Sequence, residues 1–127
     1  MNRSWNSLLA NCPSRTSLAR IANKWTALLV IALAEHPLRF GELLDAVDGI
    51  SRKVLTDTLR DLERDGILVR TDHGGVPRHV DYQLTALGRT LETPLAALVD
   101  WAADHYDAVI AARADYDARD ARDGSAR

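Results

Sequence analysis

Residues 40–84 read FGELLDAVDGISRKVLTDTLRDLERDGILVRTDHGGVPRHVDYQL, and a change of period inside this stretch decides the fold. Phe40, Leu43, Leu44 and Val47 recur at i, i+3, i+4 and i+7, the spacing of one helix face. Asp48-Gly49-Ile50 reads as a tight turn. Ser51 suits a helix N-cap, Leu55, Leu59 and Leu62 form a core stripe, and Gly66 closes the helix. The period then falls from 3.6 to 2. Ile67, Val69 and Thr71 alternate, as do Val80, Tyr82 and Leu84. His73-Gly74-Gly75-Val76-Pro77 lies between them, so the two runs read as strands of a β-hairpin.

The pattern continues outward on both sides. Upstream, Lys24 to Glu35 is the most apolar segment and leaves little polar face, so it is expected as a central helix, ended by His36-Pro37. Ser14 to Ile21 reads as a short helix, separated by Cys12-Pro13 from Trp5, Leu8 and Leu9, which fit a short helix or an arm. Downstream, Thr85 caps a helical region in which Leu91, Leu95, Leu98, Ala102, Tyr106 and Val109 recur at threes and fours. Pro94 is expected to kink or restart that region, with Thr93 as a cap. From Arg113 the chain is alanine, aspartate and arginine with four charges of each sign, which reads as a fraying helix end and then a disordered tail. The expected fold class is mainly α with a two-stranded β wing, a winged helix-turn-helix. The expected organisation is an arm over 1–11, the winged domain with a C-terminal dimerisation helix over 12–112, and a tail over 113–127.

The chain has 127 residues, 46% hydrophobic and 27% charged, which fits one globular domain with tails. A single cysteine excludes an intrachain disulfide. The longest apolar run, Ala27 to Ala34, is too short to cross a membrane, and no signal peptide is visible, so no membrane partner is expected and the expected compartment is the cytoplasm. The formal charge of −2 argues against coating DNA by bulk positive charge, while leaving room for a local basic face.

Such a face exists on the second helix of the pair. Lys53, Thr56, Asp57 and Arg60 lie together opposite the leucines, with Ser51 and Arg52 at the N-terminal end. Residues 51–60 carry three basic groups and one acid, whereas 61–65 carry three acids and one base. A recognition helix presents its N-terminal half to the major groove, where arginine and lysine suit guanine edges or phosphates. A helix N-terminus also favours a phosphate. Arg78 and His79, after the wing proline, are placed to reach the minor groove or the backbone, or to be a plain exposed loop. The alternative for the helix face as a whole is a solvated surface, which any amphipathic helix has.

These residues resemble the HxlR-type winged helix-turn-helix regulators, relatives of the MarR-like group. The resemblance rests on Cys12-Pro13, Asn23-Lys24-Trp25-Thr26, Arg39-Phe40-Gly41-Glu42-Leu43 and Gly49 to Thr56. It continues through Leu59 to Gly66, Pro77 to Tyr82, Leu84 to Gly88 and Trp101, and so covers roughly residues 12–105. It implies a sequence-specific transcriptional regulator, most readily a repressor, acting as a homodimer on double-stranded DNA. Two departures bear on which operator is read. Arg52 stands where the family often has proline, and Asp57 where it often has a longer or polar residue. An acid facing DNA either accepts from a cytosine amine or repels wrong sequences.

The implied homodimer agrees with apolar residues that exceed the needs of a small domain. Trp5, Leu8, Leu9, Leu95, Leu98, Val99, Trp101, Ala102, Tyr106 and Val109 are the expected interface; the alternative is that they cap their own core. The resemblance also points to Cys12, because a subset of the family senses oxidants or electrophiles with an N-terminal cysteine. Arg15 and Arg20 lie near it in sequence and would lower its pKa. The alternatives are a buried structural thiol and a regulator that answers a small molecule without Cys12.

No enzyme is expected, and neither a catalytic set nor a cofactor. There is no glycine-rich phosphate loop and no serine nucleophile elbow. No metal site is legible, since His36, His73, His79 and His105 are scattered and none pairs with Cys12 at ligand spacing. The rival to DNA binding is a winged-helix module that binds protein.

Overall fold

The structure, a computed structural model, describes residues 4–124. The parts of the expected arm and tail at 1–3 and 125–127 lie outside the described residues. The chain divides after Leu95 into two compact units.

The first unit begins with an arm of turns rather than a helix: Leu9 N–H bonds to Asn6 O and Cys12 N–H to Leu9 O, both at 3.1 Å. Helix α1 (Ser14–Ile21) follows. Its Arg15 straps the arm down by donating to the carbonyls of Ser7 (3.0 Å) and Leu8 (2.8 Å). Helix α2 (Lys24–Leu33) is capped by Asn23, whose side chain accepts from Trp25 N–H at 2.8 Å. It buries Thr26, Leu29, Val30 and Leu33, the central place its apolar composition calls for.

Helix α3 (Phe40–Ala46) opens with Arg39 N–H bonded to the Glu42 carboxylate at 2.9 Å, which settles one of the unpaired donors of a helix start. Helix α4 (Arg52–Arg64) is capped by Ser51, as its sequence position suggests; its hydroxyl accepts from Val54 N–H at 3.1 Å. Leu55, Leu59 and Leu62 are buried, so the leucine stripe faces the core. At the far end Gly66 N–H bonds to Glu63 O at 3.1 Å and Ile67 N–H to Leu62 O at 2.9 Å. This paired closure needs a left-handed residue, and Gly66 supplies it with φ +77°.

Strands β1 (Leu68–Gly74) and β2 (His79–Leu84) pair antiparallel, with Leu68 opposite Leu84 and Thr71 opposite Asp81. The register shifts between Asp72 and Gly74. Leu38 adds a bridge that the sequence pattern did not show. Its N–H bonds to Tyr82 O at 3.0 Å and its carbonyl accepts from Tyr82 N–H at 2.8 Å, fixing the base of the wing to the segment before α3.

Helix α5 (Ala86–Arg89) is one turn, capped by Thr85. It lies so close to the segment between α4 and β1 that a Cβ on Gly88 would sit 2.0 Å from the Ile67 carbonyl oxygen. Helix α6 (Glu92–Asp104) places Pro94 in its first turn, where a missing N–H costs nothing. The helix therefore starts before Thr93 rather than being capped by it.

In the second unit, His105 N–H bonds to Trp101 O and Val109 N–H to His105 O, both at 3.0 Å, so helical bonding runs on into α7 (Tyr106–Gly124). The tail expected to be disordered from Arg113 is thus α-helical through Gly124. The reason is propensity. Alanine and arginine are strong helix formers, which a reading based only on apolar spacing undervalues. Among the described residues no helix is long and apolar enough to cross a membrane.

Candidate nucleic-acid interface

The buried leucines of α4 turn Ser51, Arg52, Lys53, Thr56, Asp57 and Arg60 outward, and all six are exposed. The side chains of Arg52 and Arg60 make no hydrogen bond or salt bridge among the described residues, although the charge of Arg60 also acts on Asp57. Lys53 does: its ammonium lies 2.9 Å from the Asp57 carboxylate, one turn on. Lys53 holds the Asp57 carboxyl below the usual carboxylate range, chiefly through that hydrogen bond. The acid singled out as a departure from the family pattern therefore already carries a counter-charge. Exposed pairs of this kind are weak, so a phosphate can take Lys53 from it at small cost.

A hollow between α4 and the hairpin is lined by Thr56, Arg60, Glu63, Arg70 and Tyr82, with Phe40 and Leu59 at its base. The sequence did not single out Arg70, and it marked Tyr82 only as a strand residue within the stretch that carries the family resemblance. The alternation that marks a strand does not say which of its faces meets a helix. On the opposite flank Arg20 of α1 reaches Asp61 (3.4 Å) and Asp65 (3.0 Å). Two of the three acids at the far end of α4 thus answer to α1.

In the wing, Arg78 is exposed and tied to Asp72 across the hairpin, with Nε 2.7 Å from the carboxylate. Asp72 is held below the ordinary carboxylate range, mainly by that hydrogen bond, and Arg78 is raised in turn. His79 is half-buried. Its Nδ1 lies 2.6 Å from Arg39 Nη2 and its Nε2 3.5 Å from the Asp81 carboxylate, which His73 Nε2 also meets at 3.0 Å. His73, His79 and Asp81 therefore form one cluster, although the sequence reading found no metal-ligand set.

The helix pair, its outward basic face and the hairpin beside it match a family model described as HxlR-like helix-turn-helix over residues 20–109. The chain belongs to this family. The HTH-type transcriptional regulator YtfH of Escherichia coli, itself uncharacterized, is 39% identical over 108 residues, 85% of this chain and 86% of the relative. The solved structure named as transcriptional regulator ytfH from Salmonella typhimurium superimposes with a TM-score of 0.80 at 37% identity, covering 87% of this chain and 98% of the other. The redox regulator HypR in its reduced form superimposes with a TM-score of 0.70 at 33% identity, over 78% of this chain and 98% of that one. The chain is a DNA-binding, winged helix-turn-helix transcriptional regulator, and its family is one of regulators rather than enzymes.

The remaining site residues of this HxlR-family chain fall into two groups. Leu95 is buried in its own core at 4% exposure, so it has no side chain to offer a second subunit. Trp5, Leu8 and Leu9 are exposed in the first unit; Leu98, Trp101, Ala102 and Tyr106 are exposed in the second, with Val99 and Val109 half-buried. Ile110 and Tyr116 extend that apolar set, and Trp101 stacks on His105 at 4.8 Å between ring centroids.

Cys12 is half-buried at the start of α1, with Sγ 3.1 Å from the Ser14 hydroxyl. That hydroxyl is the main reason the thiol's pKa lies below its usual value. Desolvation opposes the shift, while backbone N–H groups of Ser14 and Asn6 and the charge of Arg15 assist it. Arg15 is the smallest contributor, and Arg20, expected to help, is engaged with α4 instead.

Proposed function

We propose that the chain is a homodimeric repressor that reads an inverted-repeat operator and answers oxidants or electrophiles through Cys12. The single observation that carries the DNA-reading part is the N-terminal half of α4. Arg52, Thr56 and Arg60 are exposed on a leucine-anchored helix, and among the described residues neither arginine forms a salt bridge. Arg52 and the Ser51 end meet phosphate, Thr56 and Arg60 face base edges or the groove wall, and Arg70 reinforces the hollow beside them. Arg78 and His79 of the wing contact the flanking backbone once Asp72 and Arg39 release them.

Dimerisation uses the exposed apolar side chains around Trp101 and Tyr106, and Trp5, Leu8 and Leu9 of the first unit are separate candidates for it. A two-fold pair of α4 helices then demands half-sites about one helical turn apart, or a multiple of it. The likeness to the redox regulator HypR and the lowered pKa of Cys12 support an oxidation switch. With one cysteine per chain, an oxidant that takes two electrons and two protons from two thiols joins the Cys12 of two subunits, or joins one to a small thiol.

The test is a titration of the full chain against the DNA upstream of its own gene, beside a scrambled duplex. It is run at two salt concentrations, with and without diamide, for wild type and Cys12→Ser. Selective binding that weakens with salt and is lost on oxidation only in the wild type supports the whole reading. Equal response of Cys12→Ser removes the cysteine and favours a small-molecule signal. No selectivity at any salt favours a protein-binding module.

A further inference from the structure

We propose that the wing carries a binding site for one divalent transition-metal ion of the zinc class, formed by His73 Nε2, His79 Nε2 and an Asp81 carboxylate oxygen.

The hairpin builds the site. His79 and Asp81 are two apart on β2 and so share a face. In regular pairing the next residues of β1 would continue the ladder in step, but the register shift between Asp72 and Gly74 leaves His73 as the extra residue. A bulge re-aims the side chain it inserts. Here it brings His73 Nε2 to 3.0 Å from the Asp81 carboxylate, with the two histidine rings edge to face at 4.8 Å. The candidate ligand atoms of the three residues lie within 4.8 Å of one another. A tetrahedral ion with bonds of about 2.0–2.2 Å spaces its ligands about 3.3–3.6 Å apart. The His73–Asp81 and His79–Asp81 separations of 3.0 and 3.5 Å lie close to that edge length, so small side-chain rotations complete the set. Two imidazoles and one carboxylate favour zinc and its neighbours over calcium or magnesium, which take oxygen ligands. Water fills the fourth position.

The hydrogen bonds add a consequence. A guanidinium only donates, so His79 Nδ1 accepts from Arg39 and the ring's proton sits on Nε2, facing Asp81. Metal binding at Nε2 needs that lone pair. The neutral ring then carries its proton on Nδ1, moved there by exchange with water, and no net proton is released. An Nδ1–H cannot accept from Arg39, so the ion frees the Arg39 guanidinium at the start of α3 and occupies His79. The wing and the helix pair are thereby coupled through one tautomer.

The experiment is calorimetric titration of the full chain with Zn2+, repeated with Co2+ followed by visible absorption, in the absence of DNA. The expected result is one ion per chain, binding weakened at least about tenfold in His73→Ala and in His79→Ala, since even outer-shell partners of metal ligands are worth about 10–100-fold. Cys12→Ser binds as wild type. Nitrogen-15 spectra of the imidazoles show His79 passing from the Nε2–H to the Nδ1–H form as Zn2+ is added. Unchanged affinity in both histidine variants overturns the site. So does a thiolate-to-cobalt band that disappears in Cys12→Ser, which would put the ion on the cysteine. Both histidines are at least partly exposed, and a matching far-ultraviolet spectrum confirms that each variant is folded.

Discussion

Helices α4 and α7 are both rich in charge, yet they are held by opposite means. The 13 residues of α4 bury Leu55, Leu59 and Leu62, whereas the 19 residues of α7 bury none within the chain. Helix α4 is fixed by tertiary packing, a serine cap and a glycine closure. Helix α7 stands on the propensity of alanine and arginine and on local bonds such as that between Arg119 Nε and Asp115 O at 3.4 Å. A polar surface anchored from behind can present side chains in constant geometry, which is what reading DNA requires. The apolar side chains of Tyr106, Ile110 and Tyr116 are exposed instead, and covering them would add stability.

The contrast can be broken most forcefully at Leu59. Leu59→Ala should cost about 2–5 kcal/mol of folding stability through a core cavity, read by urea denaturation. A loss below about 1 kcal/mol would mean that α4 is not leucine-anchored. Gly88→Ala attacks the same unit where α5 meets the segment between α4 and β1. The added methyl meets the Ile67 carbonyl, and the expected loss is about 1–3 kcal/mol on the same measurement. On the other side of the comparison, Trp101→Ala should leave unfolding of the monomer unchanged but weaken self-association about tenfold or more, seen by analytical ultracentrifugation. A monomeric wild type would overturn the homodimer.

Smaller effects sharpen the account of α4 itself. Arg60→Ala should change stability by no more than about 0.5 kcal/mol, as expected for an exposed residue. It should also lower the salt slope of operator binding by about one if the side chain meets a phosphate, or relax sequence preference if it meets a base. The smallest effect belongs to the wing. Because Arg78 holds the Asp72 carboxyl below its unfolded value, the pair stabilises the hairpin above the ordinary carboxylate range. That contribution falls away as pH drops through the folded pKa, so a carboxyl NMR titration of wild type should show a lower midpoint than Arg78→Ala.

Much of the architecture is legible in the sequence. The leucine stripe of α4, the Ser51 cap, the Gly66 closure and the two alternating strands are local patterns, each set by residues within a few positions of one another. The exposed polar face of α4 followed from the buried one, because a helix has only one way to turn three leucines inward. Less was legible about what each exposed side chain touches. Lys53 spends its charge on Asp57 and Arg78 on Asp72, while Leu95 joins its own core despite fitting the periodicity of an interface.

By itself the sequence determined the order of elements, the core stripe of α4 and the regulator family, since periodicity, capping and turn chemistry act over short stretches of chain. Only the tertiary structure decided the rest. It brought Arg20 to Asp61 and Asp65, Leu38 to Tyr82, and Arg70 to the hollow beside α4. A one-residue register shift gathered His73, His79 and Asp81 onto one face of the wing. Such contacts depend on strand register and on how elements pack, and a single-residue slip in register changes which side chains meet without altering the local pattern that the sequence displays.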